Sequence, residues 1–338
     1  MPAPPTDPRP ALVIGCGYLG LRVATAWRAS GRRVCALTRG RSAELSAAGI
    51  EPVVGDVCDP DSLRNLPAAS TVLYAVGLDR RAGRPMREVY VDGLANVVAA
   101  LTSSPLSPWG RGVGGEGNGS TPEKAPGSSG ERFASGGLPL TRPAATLSPK
   151  GRGSESARFL YVSSTSVYGQ TDGSVVTEDS PTNPVEDSGK IILDAEAVLR
   201  AAVPDAVVLR FAGIYGPDRV LRRQALLAGE PLVGDADKWL NLIHVADGVR
   251  AVLAAEARSP AGATYLVADG TPVRRRDFYT RAAELLGAPP ARFDHRPADG
   301  EPNRRIDAGK IRTECGFAPE FPSYREGLVD SVGHTRSG

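Results

Sequence analysis

An α/β fold built on a doubly wound parallel sheet is expected from three features of this 338-residue chain. Strand-like runs alternate with helix-like ones, the pattern of a sheet whose strands are joined by helical crossovers. The first strand-like run breaks into Gly15-Cys16-Gly17-Tyr18-Leu19-Gly20 before an amphipathic segment. An apolar content of 41% over this length is enough for a large core.

The elements follow in order. Residues 11–14 read as a strand and 18–30 as a helix; 33–38 and 42–48 repeat the pair, as do 52–54 with 60–66, and 71–75 with 86–101. Right-handed crossovers then put helices on both faces and collect ligands at the carboxyl ends of the strands. From 103 to 157 the pattern stops, because 29 of these 55 residues are Gly, Pro or Ser. That composition opposes a packed core and marks a disordered, low-complexity insert, which costs little because closure entropy grows only logarithmically with loop length. Structure resumes at 158–162, a strand expected beside 71–75. A helix at 187–201, a strand at 206–210, a loop at 211–218 and a helix at 219–228 follow. Residues 241–244 lead as a strand into the helix 245–257. The later runs 264–267 and 274–286 and the last forty residues read as a separate small lobe over the substrate. The expected organisation is a disordered start at 1–10, a nucleotide-binding domain over 11–257 containing the insert, and a C-terminal substrate lobe over 258–338 joined through 213–240.

Charge excludes some partners. Lys plus Arg (40) nearly balances Asp plus Glu (38), so a net charge of +2 creates no field to draw in nucleic acid or an anionic membrane. A small molecule is the expected partner, with self-association into a homodimer left open. Four cysteines and three histidines show no metal-binding spacing, so no metal is expected and the thiols read as reduced and buried. His244 reads as packed at a strand end. Five prolines in the first ten residues leave no apolar leader, and a soluble cytoplasmic protein is expected.

The glycine-rich turn carries the first chemical expectation. Gly15 turns the chain out of the strand, Gly17 lets backbone approach a pyrophosphate, and Gly20 lets the helix lie close on the sheet. The amide groups and positive end of that helix then hold the anion. At the end of the second strand no acidic residue stands ready to grip the adenosine ribose. Thr38-Arg39-Gly40-Arg41 offers two guanidinium groups instead, which favours NADP over NAD as cofactor.

The motifs together resemble the extended short-chain dehydrogenase/reductase superfamily, of the NAD-dependent epimerase/dehydratase type. Gly15 to Gly20 is similar to its cofactor turn, Gly55-Asp56-Val57 to its adenine-binding Asp segment, and Ser163-Ser164-Thr165-Ser166-Val167-Tyr168-Gly169 to its serine strand end. Arg210-Phe211-Ala212-Gly213-Ile214-Tyr215-Gly216-Pro217 and Ile243-His244-Val245-Ala246-Asp247 resemble two later segments. Pro322-Ser323-Tyr324-Arg325-Glu326-Gly327-Leu328 resembles the tail of the atypical branch of nucleoside-diphosphate-sugar epimerases. The resemblance implies a Rossmann-type fold and a cofactor set of Gly15, Gly17, Tyr18, Leu19, Gly20, Thr38, Arg39, Asp56, Val57, Ala75, Val76 and Lys190. It also implies Ser164 as the group that hydrogen-bonds a substrate oxygen, and Lys190 as catalytic and ribose-binding. The activity implied is that of an NAD(P)-dependent oxidoreductase or epimerase acting on a sugar-nucleotide-like or other hydroxyl/carbonyl substrate.

One departure stands out. Family enzymes carry Tyr-x-x-x-Lys, and here the residue four before Lys190 is Glu186. An ionised carboxylate cannot donate the proton that a tuned phenol supplies. Three readings follow. Glu186 is itself the acid/base with a pKa raised by burial; or Tyr168 or Tyr215 reaches the substrate from its own loop, Tyr168 being preferred; or the protein is a silent NADP-binding module, a redox sensor or scaffold.

Overall fold

The structure, a computed structural model, describes residues 8–103, 157–294 and 301–333. The start up to residue 7, nearly all of the 103–157 insert, His295 and His334 therefore lie outside the described residues. Seven strands form the main sheet: β1 (Ala11–Ile14), β2 (Val34–Thr38), β3 (Glu51–Val54), β4 (Thr71–Tyr74), β5 (Arg158–Ser164), β6 (Val207–Phe211) and β7 (Thr264–Val267). Their spatial order is β7-β6-β5-β4-β1-β2-β3, with every neighbouring pair parallel. This is the Rossmann-type doubly wound order, and it reverses between β1 and β4, where such sheets open a crevice.

Period-two alternation sorts the strand residues between two layers. Val13, Ala36, Leu73, Leu160 and Leu209 pack with Leu19, Val23 and Trp27 of α1 (Tyr18–Ala29) and with Val252 and Ala255 of α6 (Val245–Arg258). Leu12, Ile14, Val72, Tyr74, Phe159, Tyr161 and Val208 face the other way. They pack with Leu94, Val97 and Val98 of α3 (Gly93–Ser103) and with Ala195 and Leu199 of α4 (Asp187–Ala202). The strands are fully buried at the centre and read as near-continuous apolar runs for that reason. The short helix α2 (Ser42–Ala47) adds Leu45 to the first layer, and β3 closes the edge, where Pro52 is tolerated.

Four elements differ from the sequence reading. Residues 264–267, expected in the small lobe, form β7 and pair with β6, so the sheet extends past residue 257. Leu242–His244 stays outside the main sheet and pairs in parallel with Gly213–Tyr215. The helix expected over 219–228 shrinks to α5 (Arg223–Leu227), because Asp218 (φ 64°) and Arg222 (φ 57°) take left-handed conformations that no helix accommodates. The helix expected at 60–66 is a single 3₁₀ turn, Pro60–Leu63, capped by Asp59.

A third apolar cluster forms the smaller lobe: Tyr215, Val220, Leu226, Leu232 and Leu242 meet Phe278, Tyr279 and Ala282 of α7 (Arg275–Leu286) and Tyr324, Leu328 and Val332 of α9 (Tyr324–Gly333). Its residues come from both sides of β7. Two carboxylate oxygens of fully buried Asp247 accept the backbone N–H groups of Glu320 (2.7 Å) and Phe321 (2.8 Å), tying the tail to the first turn of α6. Among the described residues no helix is long and apolar enough to cross a membrane.

Candidate functional site

A cleft of about 510 Å³ opens at the carboxyl ends of β1, β2, β3 and β4. Gly15, Cys16 and Gly17 line its floor, Thr38, Arg39 and Arg41 one wall, Asp56 and Val57 another, and Ala75 to Asp79 the far side. Local sterics explain the glycines. Gly15 has φ 94°, and a Cβ there would stand 2.5 Å from the backbone of Ala75 and Val76. A Cβ on Gly20 would meet the Gly15 carbonyl oxygen at 2.2 Å, so the helix lies hard against the turn that precedes it. Gly17 is the opposite case, with nothing within 4 Å of its ideal Cβ. It begins α1 with no side-chain cap, and the first turn of that helix carries no acidic residue. A cradle closed at Gly15 and Gly20 and open at Gly17, beside free helix N–H groups, fits a diphosphate.

The rim is held by charge. Arg41 Nη1 donates to the Cys16 carbonyl (2.8 Å) and its Nε to Glu44 (2.7 Å), so this guanidinium props the glycine turn. Arg39 Nη2 meets Asp79 Oδ2 at 3.0 Å, from the opposite side of the cleft. Asp56 Oδ1 accepts the Cys58 N–H (3.0 Å), while Oδ2 lies 3.3 Å from Arg84, which also pairs with Glu88 at 2.7 Å. Burial pushes the Cys16 thiol up to about 11, against the pull of Arg41. Tyr18, Leu19 and Gly20 stand outside the cleft lining. The Tyr18 hydroxyl donates to the Pro217 carbonyl (2.7 Å), joining the glycine turn to the 216–219 loop, and Leu19 is buried in the core.

The second group of expected residues gathers at the end of β5. Ser164 Oγ accepts the Ser166 N–H (3.1 Å) and caps the short turn Thr165–Val167, leaving its own proton to give away. The start of α4 presses on this turn through Gly189, whose Cβ would meet the Ser166 carbonyl oxygen at 2.3 Å. Lys190, the next residue, is exposed and paired with Asp187 at 2.9 Å. Glu186 is the exposed N-cap residue of α4 and accepts the Ser188 hydroxyl (3.3 Å). The burial expected around an acid/base at this position is absent at an exposed helix end.

The two alternative phenols are placed elsewhere. Tyr168 is fully buried and its hydroxyl accepts from Arg210 Nη1 (2.6 Å); Arg210 pairs with Glu196 through two contacts (3.0 and 2.7 Å), and Glu196 takes the Ser163 hydroxyl at 2.5 Å. Burial holds the Tyr168 phenol up although Arg210 pulls it down. It belongs to a buried structural network rather than to the cleft. Tyr215 is also fully buried, edge-on to His244 (5.5 Å) and Phe278 (6.0 Å), and Gly327 leaves room for its hydroxyl. His244 packs at its strand end against Phe321 (4.0 Å), with Nε2 3.2 Å from Asp330.

Sequence reasoning passed over three groups: Asp79, Arg84 and Arg304. The first two lie in the loop after β4 and line the cleft. Their signal is their place just beyond the carboxyl end of β4, a few residues past Val76. Arg304, half-buried in the lobe, donates to the Thr165 carbonyl (2.7 Å) and so brings a cation to the serine turn. No sequence spacing announces a contact across 139 residues.

Sheet order and the glycine turn between β1 and α1 together define an α/β protein with a Rossmann-type doubly wound sheet. Residues 131–268 match the model of the NAD dependent epimerase/dehydratase family. It is 33% identical over 166 residues to Protein YeeZ of Escherichia coli strain K12, covering 49% of this chain and 59% of that protein. It is 29% identical over 192 residues to a dTDP-glucose 4,6-dehydratase of Streptomyces griseus, covering 52% and 58%. The chain thus spans less than two thirds of the length of these curated relatives. In three dimensions it is similar to MoeE5, solved in complex with UDP-glucose and NAD, with a TM-score of 0.70, 23% identity, and 97% and 98% of the two chains covered. The resemblance read from the motifs is borne out at the level of family and fold.

Proposed function

We propose that the chain is an NAD(P)-dependent oxidoreductase or epimerase of the atypical extended type, acting on a sugar-nucleotide-like or other hydroxyl/carbonyl substrate, with NADP preferred. The observation that carries this reading is the cleft itself, closed by sterics at Gly15 and Gly20 and open at Gly17. The main-chain groups of the turn would hold the diphosphate, Asp56 and Val57 with Ala75 and Val76 would flank the adenine, and Arg39 would meet a 2′-phosphate. When bound, the nicotinamide supplies hydride transfer. The Ser164 hydroxyl would hydrogen-bond a substrate oxygen and stabilise charge there, Lys190 would bind the ribose, and Arg304 holds a cation at the Thr165 carbonyl of the serine turn. The four cysteines are all free, which supports a reducing, cytoplasmic setting.

A second reading, a catalytically silent NADP-binding module acting as sensor or scaffold, is favoured by one observation. Glu186 stands exposed where the family phenol is expected, and both Tyr168 and Tyr215 are buried away from the cleft. Calorimetric titration with NADPH and NADH tests the shared premise. Arg39→Asp should weaken NADPH at least about tenfold and NADH less than about threefold, because only the former has a phosphate for that guanidinium. Equal losses would remove the 2′-phosphate role. Carbonyl compounds that oxidise bound NADPH separate the enzyme from the silent module.

A further inference from the structure

Two guanidinium groups face the adenosine side of the cleft, and they are not equivalent. Arg41 is spent on Cys16 and Glu44, holding the turn in place. Arg39 has a different partner, the carboxylate of Asp79, at 3.0 Å. Arg39 directly follows β2 and Asp79 follows β4, two strands away in the sheet with β1 and its glycine turn between them. Both residues line the cleft, and both side chains are about half exposed. Asp79 is fixed from behind: its Oδ1 accepts the Arg81 N–H (3.1 Å) and its carbonyl accepts the Ala82 N–H (3.1 Å), which caps the turn Arg80–Ala82. The other oxygen, Oδ2, is the one offered to Arg39.

We infer that Asp79 is a cofactor-selecting residue, an internal anion that occupies on Arg39 the position a 2′-phosphate would take. The inference rests on the cofactor reading above and deepens it. A ligand bearing that phosphate has to displace Oδ2 from Arg39 and then sit beside a carboxylate that its own capped turn keeps near the rim. Both effects oppose binding of a dianion, one through the lost ion pair and one through like-charge repulsion. A ligand with free ribose hydroxyls leaves the pair intact. Asp79 therefore narrows the preference for NADP that Arg39 creates, and makes NADPH binding require the Arg39–Asp79 strap to open.

The test is Asp79→Asn in the full chain, which keeps Oδ1 as acceptor for the capped turn, with NADPH and NADH affinities measured by calorimetry. NADPH should bind roughly three- to tenfold tighter, an effect of surface-pair size, and NADH should change less than about twofold. In an Arg39→Ala background the gain should shrink, because the competition needs the guanidinium. Weaker NADPH binding, an equal gain for both nucleotides, or a gain that survives intact without Arg39 would each overturn the inference while leaving the cofactor reading standing. Failure of the wild-type protein to bind either nucleotide would overturn both.

Discussion

At the residue scale, Gly15 and Gly17 look alike in the sequence and do opposite work in the fold. Gly15 holds φ 94° against the backbone that leaves β4, and its missing side chain is a condition of folding. Gly17 faces open space, and on the proposed cofactor reading its missing side chain leaves room for the ligand. Substitution should separate the two. Gly15→Ala should cost about 3 kcal/mol or more, since an alanine there combines an unfavourable left-handed conformation with overlap onto immobile main chain. Gly17→Ala should change stability by less than about 0.5 kcal/mol and weaken nucleotide binding at least about tenfold. Urea unfolding and calorimetry on the two variants check this, and comparable stability losses would show that Gly17 is structural too. The steric demand at Gly15 was legible from the motif and its flanking strand and helix. The Arg39–Asp79 contact was not, because an ion pair between residues 40 apart depends on which strands end side by side.

At the scale of elements, periodicity located most strands and helices and misplaced those whose fate depends on tertiary partners. β1, β2, β4, β5 and β6 were legible because a strand buried on both faces must be largely apolar. Residues 264–267 carry the same signature, and only the edge offered by β6 decides that they join the sheet. Residues 241–244 carry it as well, yet they pair with Gly213–Tyr215 instead. Tyr168 lies apart from the cleft for a related reason: a strand end is where reactive groups gather, but its hydroxyl is claimed by Arg210, contributed by β6. That guanidinium, Glu196 of α4 and Ser163 of β5 lock helix and strands together directly beneath the serine turn. Glu196→Gln should therefore lower stability by about 3 kcal/mol, because it leaves Arg210 buried without its counter-charge. Unfolding measurements that showed a loss near zero would mean that the pair is not desolvated in solution. Nucleotide affinity should stay within about twofold of the wild type, since none of the three side chains lines the cleft.

For the whole molecule, the joint between sheet and lobe carries a pH dependence of unusual sign. Asp269 follows β7 and is 2% exposed; its Oδ1 accepts the Thr271 N–H (2.9 Å), and Oδ2 has no hydrogen-bond partner among the described residues. Burial raises its pKa to about 7, against the Thr271 N–H and the Arg312 guanidinium of α8 (Gly309–Cys315), with Asp247 of α6 and Glu326 of α9 adding to the rise. The Tyr215 phenol shares this interior and is itself driven up by burial and by Asp269. Because the folded value lies above the ordinary 3.8, the native state holds a proton that the unfolded chain has already released at intermediate pH. The associated stability is complete below about pH 4 and is lost as pH rises towards about 7, with a slope approaching 1.4 kcal/mol per unit. The exposed carboxylates drawn down by cations, Glu44, Glu51, Asp79 and Asp187, act in the opposite sense, with stability lost as pH falls below the normal carboxylate range. Asp269→Asn keeps the acceptor for Thr271 and removes the titration. Urea unfolding between about pH 5 and 7 should show the wild type losing stability with rising pH while the variant stays flatter and becomes the more stable of the two near neutrality. Parallel curves would mean that Asp269 is solvated, and that the sheet and lobe do not close over it.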